Sequence, residues 1–210
     1  MYSLPYFKEQ DAEKVLAFMR ANPFAMLIGV GENNVPAATQ VPLFIEEKDG
    51  KLWLSGHIMK QTDHHKVLLK NPQALVVFTG AHTYVSASWY TNPQQASTWN
   101  YISVHVRGKL YFRDHDFLLT MLKKTTDHFE NNPHSPAGFD QLPKEYVERL
   151  SKAIEAFEIE VESIENIFKL SQNRDEKSYH NIINKLEDQG GEAAVVAEEM
   201  KKRSVAGNTL

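Results

Sequence analysis

Between Asp11 and Ala21 the apolar residues Ala12, Val15, Leu16 and Met19 recur at helical spacing, with Pro23 just beyond, so the pattern opens with an amphipathic helix. The period then shortens to that of strands. Ala25–Val30 is an apolar run and Val35–Ile45 another, carrying Pro36 and Pro42. Asp49-Gly50 is a hairpin turn signal that leads into Lys51–Gly56. Thr62–Lys70 reads as a short helix with Thr62 as its N-cap and Asn71-Pro72 as its stop. Strand patterns resume at Ala74–Thr79, Thr83–Trp89 and Trp99–Phe112. Asp114–Phe129 is helical, with Phe117, Leu118, Met121 and Leu122 on one face, and Pro143 opens a further helix to about Ala156.

Phe157–Leu170 alternates as a strand. Phe157, Ile159 and Val161 share a face opposite Glu158, Glu160 and Glu162, which are expected to form a solvated acidic stripe. The phase slips afterwards, because Ile164, Phe168 and Leu170 fall on even positions, and a β-bulge near Ser163 accounts for the slip. Two C-terminal helices follow. Asn173-Arg174-Asp175-Glu176 resembles a capping box, Gly190-Gly191 stops the first helix near Gln189, Glu192–Arg203 forms the second, and the last residues are expected to fray. Many strands with few helices between them predict a mainly β, α+β architecture built on an antiparallel barrel, not a βαβ wound sheet. Residues 1–170 read as the barrel domain with peripheral helices. Residues 171–210 read as a helical extension that packs on the barrel or on a second copy.

Composition narrows the function classes. The chain has 210 residues, 42% of them hydrophobic and 24% charged, and a net charge of −4. Its acidic balance argues against a broad nucleic-acid surface. With no cysteine, disulfides, thiolate catalysis and Cys-ligated metals are excluded. No apolar run approaches the ~20 residues of a membrane helix, and the N-terminus lacks the pattern of a secretory signal. The expectation is a cytoplasmic protein. The nine histidines follow no ligand pattern such as His-Glu-x-x-His, so no dedicated metal site is expected. Neither a nucleophile elbow nor a Walker A loop occurs, and Gly29-Val30-Gly31 lacks the third glycine and the helix of a dinucleotide fingerprint. The last two helices make a poor helix-turn-helix, because the second begins with Glu192 and carries Glu198 and Glu199, carboxylates that would face phosphates.

The segment Ser86–Gly108 is the richest in chemistry. It sets Trp89, Tyr90, Trp99 and Tyr101 beside Ser86, Ser88 and Asn100 around a polar loop. Rings with short hydrogen-bonding side chains suit a planar polar ligand, although an aromatic core would use the same rings. Two strand-to-helix junctions can meet an anion: His57–Thr62, with Lys60 and Thr62, and Phe168–Arg174, with Lys169, Ser171 and Arg174. Each also reads as an ordinary helix entry.

Gly56-His57-Ile58, Tyr84-Val85-Ser86-Ala87-Ser88-Trp89-Tyr90, Thr98-Trp99-Asn100-Tyr101 and Lys169-Leu170-Ser171-Gln172-Asn173-Arg174 stand in the order of the PaiB family, which the chain resembles over nearly its whole length. That resemblance implies an FMN-binding split barrel, the fold of pyridoxine-phosphate oxidases and flavin reductases, usually a homodimer with flavin in the groove between subunits. It also implies a negative transcriptional regulator. In this reading Lys60, Thr62 and Lys169 or Arg174 balance a phosphate, with Gln172 in the same motif. Ser86, Ser88, Trp89, Trp99, Asn100 and Tyr101 line the ring pocket. FMN is the expected cofactor and no residue stands out as a catalytic acid or base. The chain departs from the family at Met59–Asp63, in the short uncharged loop Thr91–Ser97 and at Thr39-Gln40-Val41-Pro42. An FMN-dependent oxidoreductase or flavin reductase, and a cofactor-free interaction protein, are the alternative readings. Direct contact with DNA stays open.

Overall fold

A computed structural model describes residues 4–206; the C-terminal residues 207–210, within the stretch expected to fray, lie outside them. The elements in chain order are α1 (Ala12–Ala21), β1 (Phe24–Val30), β2 (Pro36–Pro42), β3 (Phe44–Lys48), β4 (Lys51–Met59), α2 (Asp63–Lys70), β5 (Gln73–Val85), β6 (Thr98–Phe112), α3 (His115–Glu130), α4 (Lys144–Ser151), β7 (Ile154–Lys169), α5 (Glu176–Gln189) and α6 (Gly191–Ala206). The strands form one sheet in the order β2-β1-β5-β6-β7-β4-β3. This is the antiparallel split-barrel class with flanking helices that the sequence predicts. The chain divides into two compact units. Among the described residues one comprises 4–22, 78–104 and 165–206, the other 23–77 and 105–164.

In the second unit β1 runs antiparallel to β2, from Phe24↔Pro42 to Val30↔Pro36. Its buried positions, Ala25, Leu27 and Gly29, alternate with outward ones. The single run expected over Val35–Ile45 is two strands. Pro42 offers no N–H to extend the ladder, and the buried Leu43 between them gives its N–H to Pro23. The β3–β4 hairpin turns at Asp49-Gly50, both at positive φ, as a two-residue hairpin loop requires. β4 pairs with β7 from Trp53↔Glu160 to Met59↔Ile154. The helix begun at Pro143 is shorter than expected, because the chain is already in β7 at Ile154.

The acidic stripe needs a correction. Glu158 is only 5% exposed. Its carboxylate accepts from Lys48 Nζ at 2.5 Å and from Arg113 Nε at 2.7 Å. A buried carboxylate persists only when paired, and two cations, one from the end of β3 and one just past β6, make burial tolerable here. Glu160, half-buried, is ion-paired with Lys51, and Glu162 alone behaves as the pattern predicts.

In the first unit α1 and the C-terminal hairpin α5–α6 enclose a core that includes Met19, Phe78, Val104, Leu170, Ile182, Leu186 and Met200. Asp175 caps α5 through Ser178 N–H, and Tyr179 Oη donates to the Met200 carbonyl across the hairpin at 2.8 Å. The side chain of Asn166 exchanges two hydrogen bonds with the backbone of Glu9, tying down the segment before α1. The stretches Ala74–Thr79 and Thr83–Trp89, read as two strands, are a single strand, β5. It ends at Val85, and Ala87–Trp89 forms a 3-10 turn capped by Ser86.

Gly108 on β6 has no room for a side chain: a Cβ there would lie 2.2 Å from the Glu160 carbonyl oxygen and 2.8 Å from Ile159. Gly50 faces open space, and only its φ of 71° would strain a side chain placed there. Gly108→Ala is therefore expected to cost roughly 3 kcal/mol against about 1 kcal/mol for Gly50→Ala, measured by urea unfolding. Equal losses would show that β6 can move away from β7.

Candidate functional site

The end of β7 and the start of α5 bring two cations together without a counter-charge. Lys169 is the last residue of β7. Its Nζ donates to the Thr98 hydroxyl and to the Trp99 carbonyl, the latter at 2.9 Å. Ser171 then adopts a left-handed φ of 63°, and Arg174 N–H closes a turn onto its carbonyl at 3.0 Å. The guanidinium of Arg174 lies 4.1 Å from the centroid of Tyr90 and donates to Gln95 Oε1 and the Ala96 carbonyl. Its Nε is buried without a partner. Among the described residues neither cation is ion-paired with a carboxylate.

Burial first, and the Arg174 charge second, push the Lys169 ammonium below its usual pKa. Asp175 is adjacent in sequence but turned away. It accepts from Ser178 N–H, Ser178 Oγ and Thr91 Oγ1, and the Ser178 hydroxyl holds its pKa below the ordinary value. Two cations served only by neutral acceptors, with one N–H unused, have the donor set that an anion of the phosphate type needs.

Beside this corner the aromatic stretch separates into outward and inward residues. Trp99 is 52% exposed and Tyr84 48%, and their rings meet edge-on at 6.2 Å while His82 lies 5.9 Å from Trp99. Trp99 thus presents an open ring within the same unit as Lys169, whose Nζ holds its carbonyl. Trp89 and Tyr101 are half-buried. Ser86 and Ser88 share a hydrogen bond at 2.8 Å, and Ser86 also accepts from Ser88 N–H.

Asn100 departs from the expected flavin-edge role. It is fully buried, accepts from Ser171 Oγ at 3.0 Å and points its amide at Met200 Sδ, 3.5 Å away. Its polar atoms fasten the Ser171 turn to α6. Gln172 is likewise turned back on the strand end, accepting from Leu170 N–H and donating to the Phe168 carbonyl.

Lys60 and Thr62 belong to the second unit. Thr62 Oγ1 accepts from His65 N–H and donates to the Met59 carbonyl, both at 3.1 Å, while Asp63 accepts from His64 N–H at 2.7 Å. The N-terminus of α2 is thus already filled by the chain's own acceptors, and a carboxylate stands where an anion would bind. Lys60 is half-buried and has no ion pair among the described residues. Nearby, His65 Nε2 and Glu155 lie 2.7 Å apart. His64 Nδ1 lies 2.9 Å from Thr39 Oγ1, while His64 Nε2 and His57 Nδ1 are buried without partners. Among the described residues no three metal-ligating side chains converge.

Sequence reasoning missed Tyr90 as the platform under Arg174 and Tyr84 as the neighbour of Trp99. Tyr90 stood inside a quoted motif, but its partner lies 84 positions away, and no local pattern carries that contact. The residues fit FMN at its phosphate: an unpaired pair of cations, a buried guanidinium N–H without an acceptor, and an open indole in one unit.

A family model described as a "putative FMN-binding domain" matches residues 1–163. The chain belongs to this FMN-binding family. The match takes in Lys60, Thr62 and the whole Ser86–Tyr101 stretch and ends before Lys169. "Protease synthase and sporulation protein PAI 2" of Bacillus subtilis (strain 168) is 34% identical over 189 residues, covering 90% of each chain. Among solved structures, the FAD and heme binding protein from Mycobacterium smegmatis superposes with a TM-score of 0.54 at 16% identity, over 77% of this chain and 72% of that one. The flavocytochrome Anf3 from Azotobacter vinelandii does so with a TM-score of 0.55 at 16% identity, over 82% and 74%. These likenesses show a shared fold.

Burial lowers the pKa of both His57 and His64, with Asp63 partly opposing the shift at His64. Both imidazoles bind protons more weakly folded than unfolded, so below the unfolded value of about 6.5 the unfolded state takes up more protons and stability falls. Thermal melts are expected to show a lower midpoint at pH 5.5 than at pH 7.5, with a shallower decline in His57→Gln/His64→Gln. An undiminished decline in that variant would assign the effect to carboxylates.

Proposed function

We propose that this protein is a PaiB-type flavoprotein. It holds FMN with the phosphate at Lys169 and Arg174 and the ring beside Trp99, and it acts as a negative transcriptional regulator. The single observation that carries the site is the pair of cations with no carboxylate partner, one with a buried N–H left over. The regulatory half rests on the relative whose name ties it to protease synthesis and sporulation. When bound, FMN supplies electron transfer, and the protein's part is to bind and orient it. Lys169 contributes charge and fixes the Trp99 backbone, Arg174 contributes charge on a Tyr90 platform, and the Ser86–Ser88 hydroxyls offer polar contacts beside the rings.

Regulation through α6 acting as a DNA-reading helix has no support in its cations. Lys201 is bonded to Glu187 and Glu198, Lys202 to Glu199 and Arg203 to Glu9, so phosphates would have to compete with carboxylates already in place. The reading therefore assigns regulation to the flavin site and to protein partners. It includes a homodimer in the cytoplasm. Its support is β1, whose outward positions Phe24, Met26 and Val30 are exposed and apolar where a solvated strand would carry polar residues.

FMN added to purified protein is expected to bind with a perturbed flavin spectrum. Arg174→Ala is expected to weaken FMN roughly tenfold or more while leaving riboflavin unchanged, because only the phosphate contact is lost, and Lys169→Ala to weaken FMN at least about tenfold more than riboflavin, since it also frees the Trp99 backbone. Parallel losses for FMN and riboflavin, or none for either, would move the phosphate elsewhere. Light scattering is expected to give a dimer that Met26→Glu converts to a folded monomer, since the substitution buries a charge at the interface; a dimer surviving the change would clear β1 of that role.

A further inference from the structure

We propose that the hollow between α1 and α6 binds a small apolar carboxylate, such as a medium-chain fatty acid or an aromatic acid. The hollow has a volume of about 400 Å³ and lies wholly within the first unit. It exists because small residues face it. Ala17 and Ala21 stand one turn apart on α1, and Gly80-Ala81 lie across from them on β5. A Cβ on Gly80 would come within 2.7 Å of the Phe18 ring, so the missing side chain lets that ring pack directly on the strand as part of the floor. The walls are apolar: Phe18 meets Phe168 edge-on at 5.5 Å, and Ile102 and Leu170 continue the surface. Phe168 and Leu170 point to one side of the strand end and Lys169 to the other, which separates this hollow from the cation corner. Val195, 53% exposed, leaves a large aliphatic in solvent at the mouth.

The rim selects the charge. Lys14, Lys202 and Arg203 stand there against Glu9 and Glu199. Glu9 is taken by Arg203, whose guanidinium also lies 4.7 Å from the Phe168 centroid, and Glu199 accepts from Lys202 at 2.6 Å. Among the described residues the one ion pair of Lys14 is a 4.0 Å contact with exposed Asp11. Both rim carboxylates are satisfied, while an ammonium on the α1 side remains to meet an incoming anion. An apolar body with an anionic head matches these walls and this rim, whereas a cationic ligand would meet an excess of like charge.

The probe is 8-anilinonaphthalene-1-sulfonate, an apolar anion whose fluorescence rises on binding, with octanoate and octanol as competitors. Saturation at one probe per chain is expected, with octanoate displacing it at roughly tenfold lower concentration than octanol. Ala17→Leu and Ala21→Leu project an isobutyl group into the hollow at exposed positions and are expected to weaken the probe about tenfold with unchanged melting. Lys14→Ala narrows the gap between octanoate and octanol. Full probe affinity in both folded leucine variants, or octanol competing as well as octanoate, would overturn the proposal. Probe affinity that falls as protein concentration rises would identify a second copy as the occupant and also overturn it.

Discussion

Two positive charges held close together without a carboxylate are the constraint around which the candidate site is organised. Lys169 and Arg174 repel one another, and each is kept in place by neutral oxygen: a hydroxyl, two backbone carbonyls and a glutamine. That arrangement needs a sharp turn between strand and helix, which Ser171 makes at positive φ. It needs a fastener for the turn, which the buried Asn100 provides. It also needs the one nearby acid to be occupied, and Asp175 is committed to capping α5. Placing a carboxylate beside the pair would relieve the repulsion and remove the site with it. An uncompensated cation pair is thus a stability cost that a bound anion offsets.

Elsewhere in the chain charge is handled in the opposite way. Glu158 is buried between Lys48 and Arg113, Lys124 reaches Glu46, and the cations of α6 are tied to glutamates. The exposed pairs among these contribute little each. What sets Lys169 and Arg174 apart is that two cations lie close enough to repel, partly buried, with one N–H left without an acceptor. The same contrast steers the regulatory reading away from a DNA-reading α6 and toward the flavin site. Membership of the FMN-binding family and the chemistry of that corner point to the same ligand, while the hollow beneath α1 and α6 offers an uncommitted space with a different selectivity.

The order and type of most elements were legible in sequence, because they rest on local physics. Helical spacing in α1 and α3, the Thr62 cap, the Asp49-Gly50 turn and the Gly190-Gly191 stop all act over a few residues; the capping-box run Asn173–Glu176 marked the start of α5, where Asp175 is the cap. The strand regions were legible as apolar or alternating runs, although β2 and β3 read as one run and β5 as two, and motifs spread along the chain pointed to the family. What misled the reading was periodicity taken as exposure. Glu158 sits on the polar face of its strand, yet that face is covered where Lys48 and Arg113 reach it. Asn100 and Gln172 looked like ligand contacts because their residue types suit a flavin edge. Their amides are consumed by a turn and a strand end that only the folded chain assembles.

By itself, then, the sequence determined the strand-rich class, the helix boundaries set by caps and glycines, the family, and the absence of thiol chemistry. Each of these is encoded in neighbouring residues, in a motif or in composition. Tertiary structure decided which cations stand unpaired, which ring of the aromatic stretch stays open, and where small residues on α1 and β5 leave a hollow. Those outcomes depend on partners from distant parts of the chain, Lys169 with Thr98 and Arg174 with Tyr90. Burial and pairing are properties of the packed surface, and no stretch of sequence holds both sides of such a contact.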